Sequence, residues 1–157
     1  MIHDIEFTPN GNYIAGGFRD GIVRFWDTET HELEETIEFD NIGGNYNLTF
    51  TPDGEIMAAS DPDLGGEIYL FDMENFSQID MIEPEGRVTS MEFSPDGTKL
   101  AYGLTDGGVE ILDTKDWSII YSFKHGNSRV RGLSFGPDSR NLAIGSGDGN
   151  LFVYGYK

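Results

Sequence analysis

The stretch Phe93-Ser94-Pro95-Asp96-Gly97 decides the fold, because a counterpart of it occurs in each quarter of the chain. The four copies start at intervals of 43, 43 and 42 residues and occupy Phe7–Gly11, Phe50–Gly54, Phe93–Gly97 and Phe135–Ser139. Proline followed by Asp or Asn and then glycine supplies the fixed and the permissive φ angles of a tight turn. A fixed period of this length is typical of a propeller blade or a solenoid unit, so a repeat protein is predicted.

Each copy places the same order of strands around the turn. In the first copy, apolar runs at Ile2–Phe7, Tyr13–Gly17 and Ile22–Trp26 are followed by a fourth at Leu33–Phe39. Apolar residues of the fourth run alternate with glutamates, which is the period of a half-exposed strand. No window has helical spacing, so the predicted fold class is all-β. The chain is predicted to be a single segment with repeats at approximately 1–44, 45–87, 88–129 and 130–157.

The composition is that of an acidic chain with enough apolar residues for a core. The 157 residues include 28 Asp and Glu against 10 Lys and Arg, a formal charge of −18, and 38% are hydrophobic. Such a surface is repelled by phosphate backbones and anionic lipids, so no nucleic acid and no membrane are expected as partners. The chain has no cysteine, which excludes disulfides and thiolate chemistry. No apolar run reaches the ~20 residues of a membrane span, so a cytoplasmic protein is expected.

The turn, the hairpins and the ends of the third strands together resemble the WD40 repeat. A hairpin aspartate is found at Asp20, Asp106 and Asp148, and an aromatic or apolar residue follows six positions later. The dipeptides that close the copies are Trp26-Asp27, Phe71-Asp72, Leu112-Asp113 and Tyr154-Gly155. The resemblance covers essentially the whole chain. It implies antiparallel four-stranded blades of a WD40-type β-propeller, present here as a partial propeller of four repeats.

The resemblance also implies structural roles for several side chains. In the family, a histidine, a strand hydroxyl, the hairpin aspartate and a tryptophan form a buried hydrogen-bonded set. The fourth copy approximates this set, with Tyr154 in place of the tryptophan. The positions that receive structural roles in this way are Asp20, Trp26, Asp106, His125, Ser146 and Asp148.

One strand is missing from the fourth copy. The outer runs of the first three copies are at Leu33–Phe39, Phe76–Ile82 and Trp117–Phe123, whereas the fourth copy ends after Leu151–Tyr154. Met1 lies directly on the first inner strand, so neither end is expected to supply the missing strand. The last blade should therefore have an open edge with unpaired backbone groups that invite another chain.

The apolar faces of the first and last blades also need neighbours. WD40 blades usually close as rings of about seven, within a propeller range of four to eight. We expect the first blade of one chain to pack on the last blade of another, so that two chains form an eight-bladed homodimeric ring. Residues 1–78 hold 2 basic and 17 acidic side chains, and residues 79–157 hold 8 and 11, which favours contact between unlike ends. A fragment of a longer propeller, or a subunit completed by a different protein, is the alternative.

The sequence contains no recognisable catalytic constellation. Three histidines and serines that lie mostly in turns do not bring a nucleophile, a base and an orienting group together. Asp61, Asp63, Glu67 and Asp72 have part of the spacing of a calcium loop, but Pro62 and the surrounding strands disfavour that interpretation. A non-enzymatic protein with no metal and no cofactor is predicted.

A group of basic residues is the candidate site for a partner. In WD40 propellers, partners often dock on the ring face built from the loops that enter the inner strands and from the hairpins between second and third strands. Register places on or near that face Arg19, Arg87, Lys124, Arg129 and Arg131. These side chains are suited to a carboxylate-bearing or phosphorylated peptide. The alternative is that they pair with neighbouring acidic side chains.

The functional prediction that follows is a non-enzymatic interaction scaffold that binds itself and an unidentified protein or peptide. The alternative is a purely structural module, or a fragment, with no ligand of its own. An enzyme with a site in the propeller channel is the third interpretation, and it is disfavoured because the inner runs offer few polar groups.

Overall fold

The computed structural model describes residues 1–39, 47–60, 65–124 and 126–155. These residues form fifteen β-strands in antiparallel sheets, three with four strands and the last with three. The strands are β1 (Ile2–Phe7), β2 (Tyr13–Phe18), β3 (Ile22–Asp27), β4 (Leu33–Glu38), β5 (Asn47–Phe50), β6 (Ile56–Ser60), β7 (Ile68–Asp72), β8 (Ser77–Ile82), β9 (Val88–Phe93), β10 (Lys99–Leu104), β11 (Gly108–Asp113), β12 (Ile119–Lys124), β13 (Val130–Phe135), β14 (Asn141–Ser146) and β15 (Leu151–Gly155). The predicted all-β fold class is confirmed.

The four sheets follow one another along the chain as meanders. They consist of β1–β4, β5–β8, β9–β12 and β13–β15, and within each sheet every strand pairs with the next one. This is the topology of propeller blades, with the last blade lacking an outer strand among the described residues, as predicted.

Two outer strands begin later than the sequence pattern predicts. Phe76 and Trp117 have φ angles of 56° and 57°, in the left-handed region. Extended backbone is incompatible with that conformation, so β8 begins at Ser77 and β12 at Ile119.

The repeated turn has the same hydrogen bonds in the first three copies. The hydroxyl of Thr8, Thr51 or Ser94 accepts the backbone N–H five residues later, at 3.0 Å in each case. The same hydroxyl donates to the Asn or Asp side chain two residues later. Burial alone would raise the pKa of Asp96, but hydrogen bonds from Ser94 and Thr98 lower it to about 2. The glycine that ends the turn has a φ of 70° to 75°, which explains the preference for glycine there.

The fourth turn departs from this chemistry. Gly136 replaces the hydroxyl residue, and Ser139 replaces the glycine although its φ is 57°. Ser139 is buried, and its hydroxyl accepts the backbone N–H of Asp96 at 3.1 Å. The left-handed serine is therefore accompanied by a hydrogen bond to the neighbouring sheet.

The chain divides into two compact units, Met1–Pro84 and Glu85–Lys157, each containing two consecutive sheets. In the first unit, the buried core between the sheets consists of Ala15, Val23, Phe25, Ile37, Leu48, Phe50, Met57, Ala59 and Phe71. In the second unit, it consists of Ala101, Val109, Ile111, Val130, Phe135, Leu142 and Ile144. Each unit is thus held together by one apolar core between two facing sheets.

Carboxylates of one inner strand also bind backbone amides of the next. Asp4 Oδ2 accepts the N–H of Leu48, and Glu92 Oε2 accepts the N–H of Phe135, both at 2.9 Å. Burial raises the pKa of Glu92 above its ordinary value, and the bond from Phe135 opposes that shift. These bonds fix the register between the two inner strands of each unit.

Candidate interaction surfaces

The first and third sheets each bury one side against the sheet that follows in the same unit. An alanine of the second strand and two larger apolar residues of the third strand occupy equivalent register positions on that side. None of them is exposed to solvent: Ala15, Val23 and Phe25 in the first sheet, and Ala101, Val109 and Ile111 in the third. These positions therefore form the contact between the two copies within each unit.

The fourth sheet has the same kinds of residue at these positions, but the two large ones are exposed. Ala143 pairs with Val153, and Gly145 pairs with Leu151, in the register of the buried copies. Leu151 is 71% exposed and Val153 is 62% exposed. We name this side of the fourth sheet, with Ala143, Leu151 and Val153, the carboxyl-terminal face. It keeps the apolar pattern of a covered side.

The first sheet is open on its opposite side. Ile5 and Phe7 are 62% and 64% exposed there. The residues 43 positions later, Leu48 and Phe50, are 4% and 6% exposed because they pack on the first sheet. Within the described part of the first unit, no sheet covers this side in the way that the first sheet covers Leu48 and Phe50.

Trp26 lies on the same open side of the first sheet. Phe7 pairs with Ile14, and Ile14 pairs with Trp26, so the three side chains share one side. The ring centroid of Trp26 lies 5.7 Å from that of Phe18. We name this side the amino-terminal face, with Ile5, Phe7, Ile14 and Trp26.

The hairpin aspartates Asp20, Asp106 and Asp148 are exposed, and each forms a hydrogen bond within its own hairpin turn. Each accepts a hydrogen bond from the backbone N–H two residues later, at 3.3, 3.0 and 3.2 Å. Asp20 also pairs with Arg24, and Asp106 with Lys124, both at 2.7 Å. The hydrogen bonds from these cations lower the pKa of both carboxyls below the ordinary range.

The remaining positions with implied structural roles are in the fourth copy. Ser146 Oγ is buried, and its hydroxyl lies near the Asp148 carboxyl, whose pKa it lowers. The ring of Tyr154 packs on Phe123, with centroids 4.6 Å apart. His125 lies outside the described residues.

The candidate basic residues lie near the starts of inner strands and in hairpins. Arg87 and Arg129 immediately precede β9 and β13, Arg131 is part of β13, and Arg19 follows β2 in a hairpin. The carbonyl oxygens of Arg87 and Arg129 accept backbone N–H groups from the hairpins of their own sheets, at 3.0 and 2.8 Å. Within the second unit, Arg87 and Arg129 therefore occupy equivalent positions at the starts of two neighbouring inner strands.

The basic residues differ in their ion pairs. Lys124 pairs with the hairpin aspartate of its own sheet. Arg19, Arg87, Arg129 and Arg131 are exposed and, within the described ranges, have no carboxylate within 4.0 Å. Among the described residues, an acidic neighbour therefore pairs with the lysine but not with the four guanidinium groups.

An aromatic cleft in the first unit was missed by the sequence reasoning. It lies between β4 of the first sheet and β7 and the start of β8 of the second. Its walls include Ile37, Phe39, Tyr69, Phe71 and Phe76. The alternation of Tyr69 and Phe71 along β7 was a signal for aromatic residues on one side of that strand.

The described residues 1–39, 47–60, 65–124 and 126–155 contain no group of three or more His, Asp or Glu side chains arranged to hold a metal ion. Asp61 and Asp63, from the calcium-loop pattern, lie outside these ranges. Over the same ranges, no helix has the length and apolar character required to cross a membrane.

Two family models match parts of the chain. The model described as "Anaphase-promoting complex subunit 4 WD40 domain" matches residues 67–129. The model described as "WD domain, G-beta repeat" matches residues 1–27 and 117–155. The matched segments include strands of all four sheets.

Several curated proteins are similar to the chain. The WD repeat-containing protein SL1-17 of Schistosoma mansoni is 28% identical over 116 residues, which cover 74% of this chain and 38% of that protein. The small ribosomal subunit protein RACK1z of Oryza sativa subsp. japonica is 26% identical over 125 residues, covering 74% and 36%. The THO complex subunit 3 of Arabidopsis thaliana is 24% identical over 127 residues, covering 78% and 40%. The chain thus spans no more than 40% of the length of these relatives.

Proposed function

The chain belongs to the WD40-repeat family, and we propose that it is a non-enzymatic scaffold for protein–protein interactions. The relatives support this role, since they are named as a WD-repeat protein, a ribosomal-subunit protein and a subunit of the THO complex. The relatives named as ribosomal-subunit proteins also support our proposal of a cytoplasmic location. We treat the four repeats as a single propeller segment, in which Asp20, Trp26, Asp106, His125, Ser146 and Asp148 have structural roles.

We further propose that the scaffold assembles with a second copy of itself, head to tail. The observation that carries this proposal is the pair of open apolar faces. The carboxyl-terminal face is equivalent to the side of the first sheet that packs on the second sheet. The amino-terminal face is equivalent to the side of the second sheet that packs on the first. The contact between consecutive copies can therefore be repeated between two chains, which gives an eight-bladed ring if both contacts close.

The energetics favour a closed ring over an open pair. Burying a large apolar side chain contributes about 1.5–3 kcal/mol, and each contact would cover Ile5, Phe7, Leu151 and Val153. A closed ring contains this contact twice, whereas the translational and rotational cost of association arises once. Cooperation between the two contacts is therefore expected to stabilise the dimer.

The association is tested by light scattering on size-exclusion chromatography. The wild-type chain is expected at about twice its monomer mass of 17.5 kDa. Phe7→Asp removes one face and Val153→Asp the other, so each variant alone is expected to be monomeric. An equimolar mixture retains one intact pair of faces and should regain a two-chain complex, at a higher protein concentration than the wild type because only one of the two contacts is intact. Ile79→Asp, on exposed β8 outside both faces, is the matched control and should remain dimeric.

A wild-type monomer with a well-dispersed NMR spectrum would contradict self-association. A mixture of the two variants that stays monomeric would contradict the head-to-tail arrangement. The alternative proposal, a purely structural module or a segment of a longer WD40 protein, requires no ligand. Assembly of the chain without binding of the peptides described next would support that alternative.

We propose that basic residues bind an acidic or phosphorylated peptide: Arg19 in the first unit, and Arg87, Lys124, Arg129 and Arg131 in the second. The four arginines support this, since none of them has an ion pair with a described carboxylate, and charge-assisted hydrogen bonds to carboxylate or phosphate are among the stronger ones. In fluorescence anisotropy with glutamate-rich and phosphoserine peptides, Arg87→Glu with Arg129→Glu should weaken binding at least ~10-fold. Arg140→Glu, at an exposed arginine outside the set, is the control. Equal affinities of the double variant and the control would refute the assignment.

A further inference from the structure

The outer rim of the first unit contains an aromatic cleft with a volume of about 420 Å³. The ring of Phe39 packs edge to face on Tyr69 and on Phe71, with centroids 5.2 and 5.5 Å apart. Phe76 lines the same cleft, and its ring lies 5.1 Å from that of buried Phe25. Phe39, Tyr69 and Phe76 are half-buried, so the cleft walls are accessible from solvent. Aromatic rings carry negative potential on their faces, which attracts cations.

Acidic side chains of β4 lie beside these rings. Glu35 pairs in register with Phe25, so its side chain is on the side of β4 that faces the second sheet. Glu34 accepts a hydrogen bond from the Tyr13 hydroxyl at 3.4 Å, and the Tyr13 ring lies 6.2 Å from Phe76. Burial and the charge of Glu34 raise the pKa of Tyr13. The carboxylates of Glu34 and Glu35 therefore lie near the Tyr13 ring, beside the Phe76 end of the cleft, and the carboxylate of Glu38 lines the cleft itself.

The first unit has few cations of its own to neutralise this acidic rim. Residues 1–84 contain no lysine and two arginines. Arg24 pairs with Asp20 and also stacks over the Phe18 ring, 4.6 Å from its centroid. Arg19 lies in the hairpin between β2 and β3, at the end of the sheet where β4 ends, and it is a single further cation against the 19 acidic side chains of residues 1–84. Charge complementarity thus favours a cation supplied by another molecule.

We propose that the cleft binds an arginine side chain presented by a basic, extended segment of a partner protein. The guanidinium group stacks on the aromatic wall and pairs with Glu35, while the methylene groups pack on Ile37. Arginine suits this site better than lysine, because its guanidinium is planar, weakly hydrated and able to stack on aromatic faces. The cleft lies within one unit of one chain, so this binding does not depend on self-association.

The proposal is tested by titrating the ¹⁵N-labelled full chain with the peptide acetyl-Gly-Arg-Gly-amide and recording amide shifts. Saturable shifts are expected in β4, in β7 and around Phe76. Replacing arginine with citrulline preserves its shape but removes the charge, and should weaken binding at least ~10-fold. The lysine peptide should bind more weakly than the arginine peptide. Equal binding of the citrulline or the lysine peptide would overturn the proposal.

Variants of the chain locate the site. Phe39→Leu keeps an apolar side chain but removes the ring, and should weaken binding roughly two- to fivefold. Glu35→Gln should also weaken it, whereas Glu55→Gln, at an exposed glutamate of the same unit outside the cleft, should not. Equal effects of Glu35→Gln and Glu55→Gln would show general attraction to an acidic surface and would refute the cleft as the site.

Discussion

The Phe25→Ala variant is expected to lose about 3–5 kcal/mol of unfolding free energy. Phe25 is fully buried between the first and second sheets. Its ring contacts Tyr13 and Phe76 edge to face, with centroids 6.4 and 5.1 Å away. Truncation removes these contacts and leaves a cavity that two paired sheets cannot close easily. Urea denaturation followed by circular dichroism measures the loss.

Val153→Ala is the matched control for this experiment. Val153 occupies the register position of Phe25 in the fourth sheet, but it is exposed. Its truncation is expected to change the unfolding free energy of the dissociated chain by less than about 0.5 kcal/mol. The comparison must be made at a protein concentration at which the chain is monomeric, since association would cover Val153. Similar losses in both variants would mean that the carboxyl-terminal face is not open.

The Gly103→Ala variant is expected to lose about 3 kcal/mol of unfolding free energy. A Cβ atom on Gly103 would lie 2.4 Å from Val130 Cγ1 and 2.6 Å from Val130 Cβ. The Thr89 hydroxyl donates to the Val130 carbonyl at 2.6 Å, which ties β13 to the third sheet. The inner strand cannot move away from the new methyl group without losing this bond.

Two further variants distinguish the overlap with Val130 from the general effect of adding a methyl group to a glycine. Gly132→Ala, where nothing lies within 4 Å of the added Cβ, is expected to change stability by less than about 0.5 kcal/mol. Val130→Gly removes both overlapping atoms, Cγ1 and Cβ, so the Gly103→Ala/Val130→Gly double variant should be more stable than the sum of the two single losses predicts. Thermal unfolding tests both comparisons. Additive losses in the double variant would argue against steric overlap.

The strands and repeats were predictable from sequence because their determinants are local. The turn needs a hydroxyl, a proline and a glycine within a few residues, and the apolar alternation on either side fixes the strand type. The starts of β8 and β12 were wrong by one and two residues, since Phe76 and Trp117 have side chains typical of strands but left-handed backbone. Backbone conformation of a single aromatic residue cannot be read from its hydrophobicity.

The surfaces were predictable only in part. The three-stranded last blade followed from counting strands, whereas the exposure of Ile5 and Val153 required coordinates. The ion-pair states of Lys124 and Arg129 also required coordinates, because acids outnumber bases throughout the sequence. The aromatic cleft was missed because Phe39 and Tyr69 are thirty positions apart and meet only when the two sheets pack.

Ser139 has a consequence for how the second unit unfolds. A glycine there would relax the left-handed backbone of its own turn, yet it would remove the hydroxyl that accepts the amide of Asp96. In repeat proteins, stability is approximately the sum of what each repeat contributes alone and what it shares with its neighbour. Compared with glycine, Ser139 destabilises its own turn but stabilises the contact between the last two repeats. The last two repeats are therefore coupled more strongly than local turn chemistry alone would make them, and they should unfold as one cooperative block.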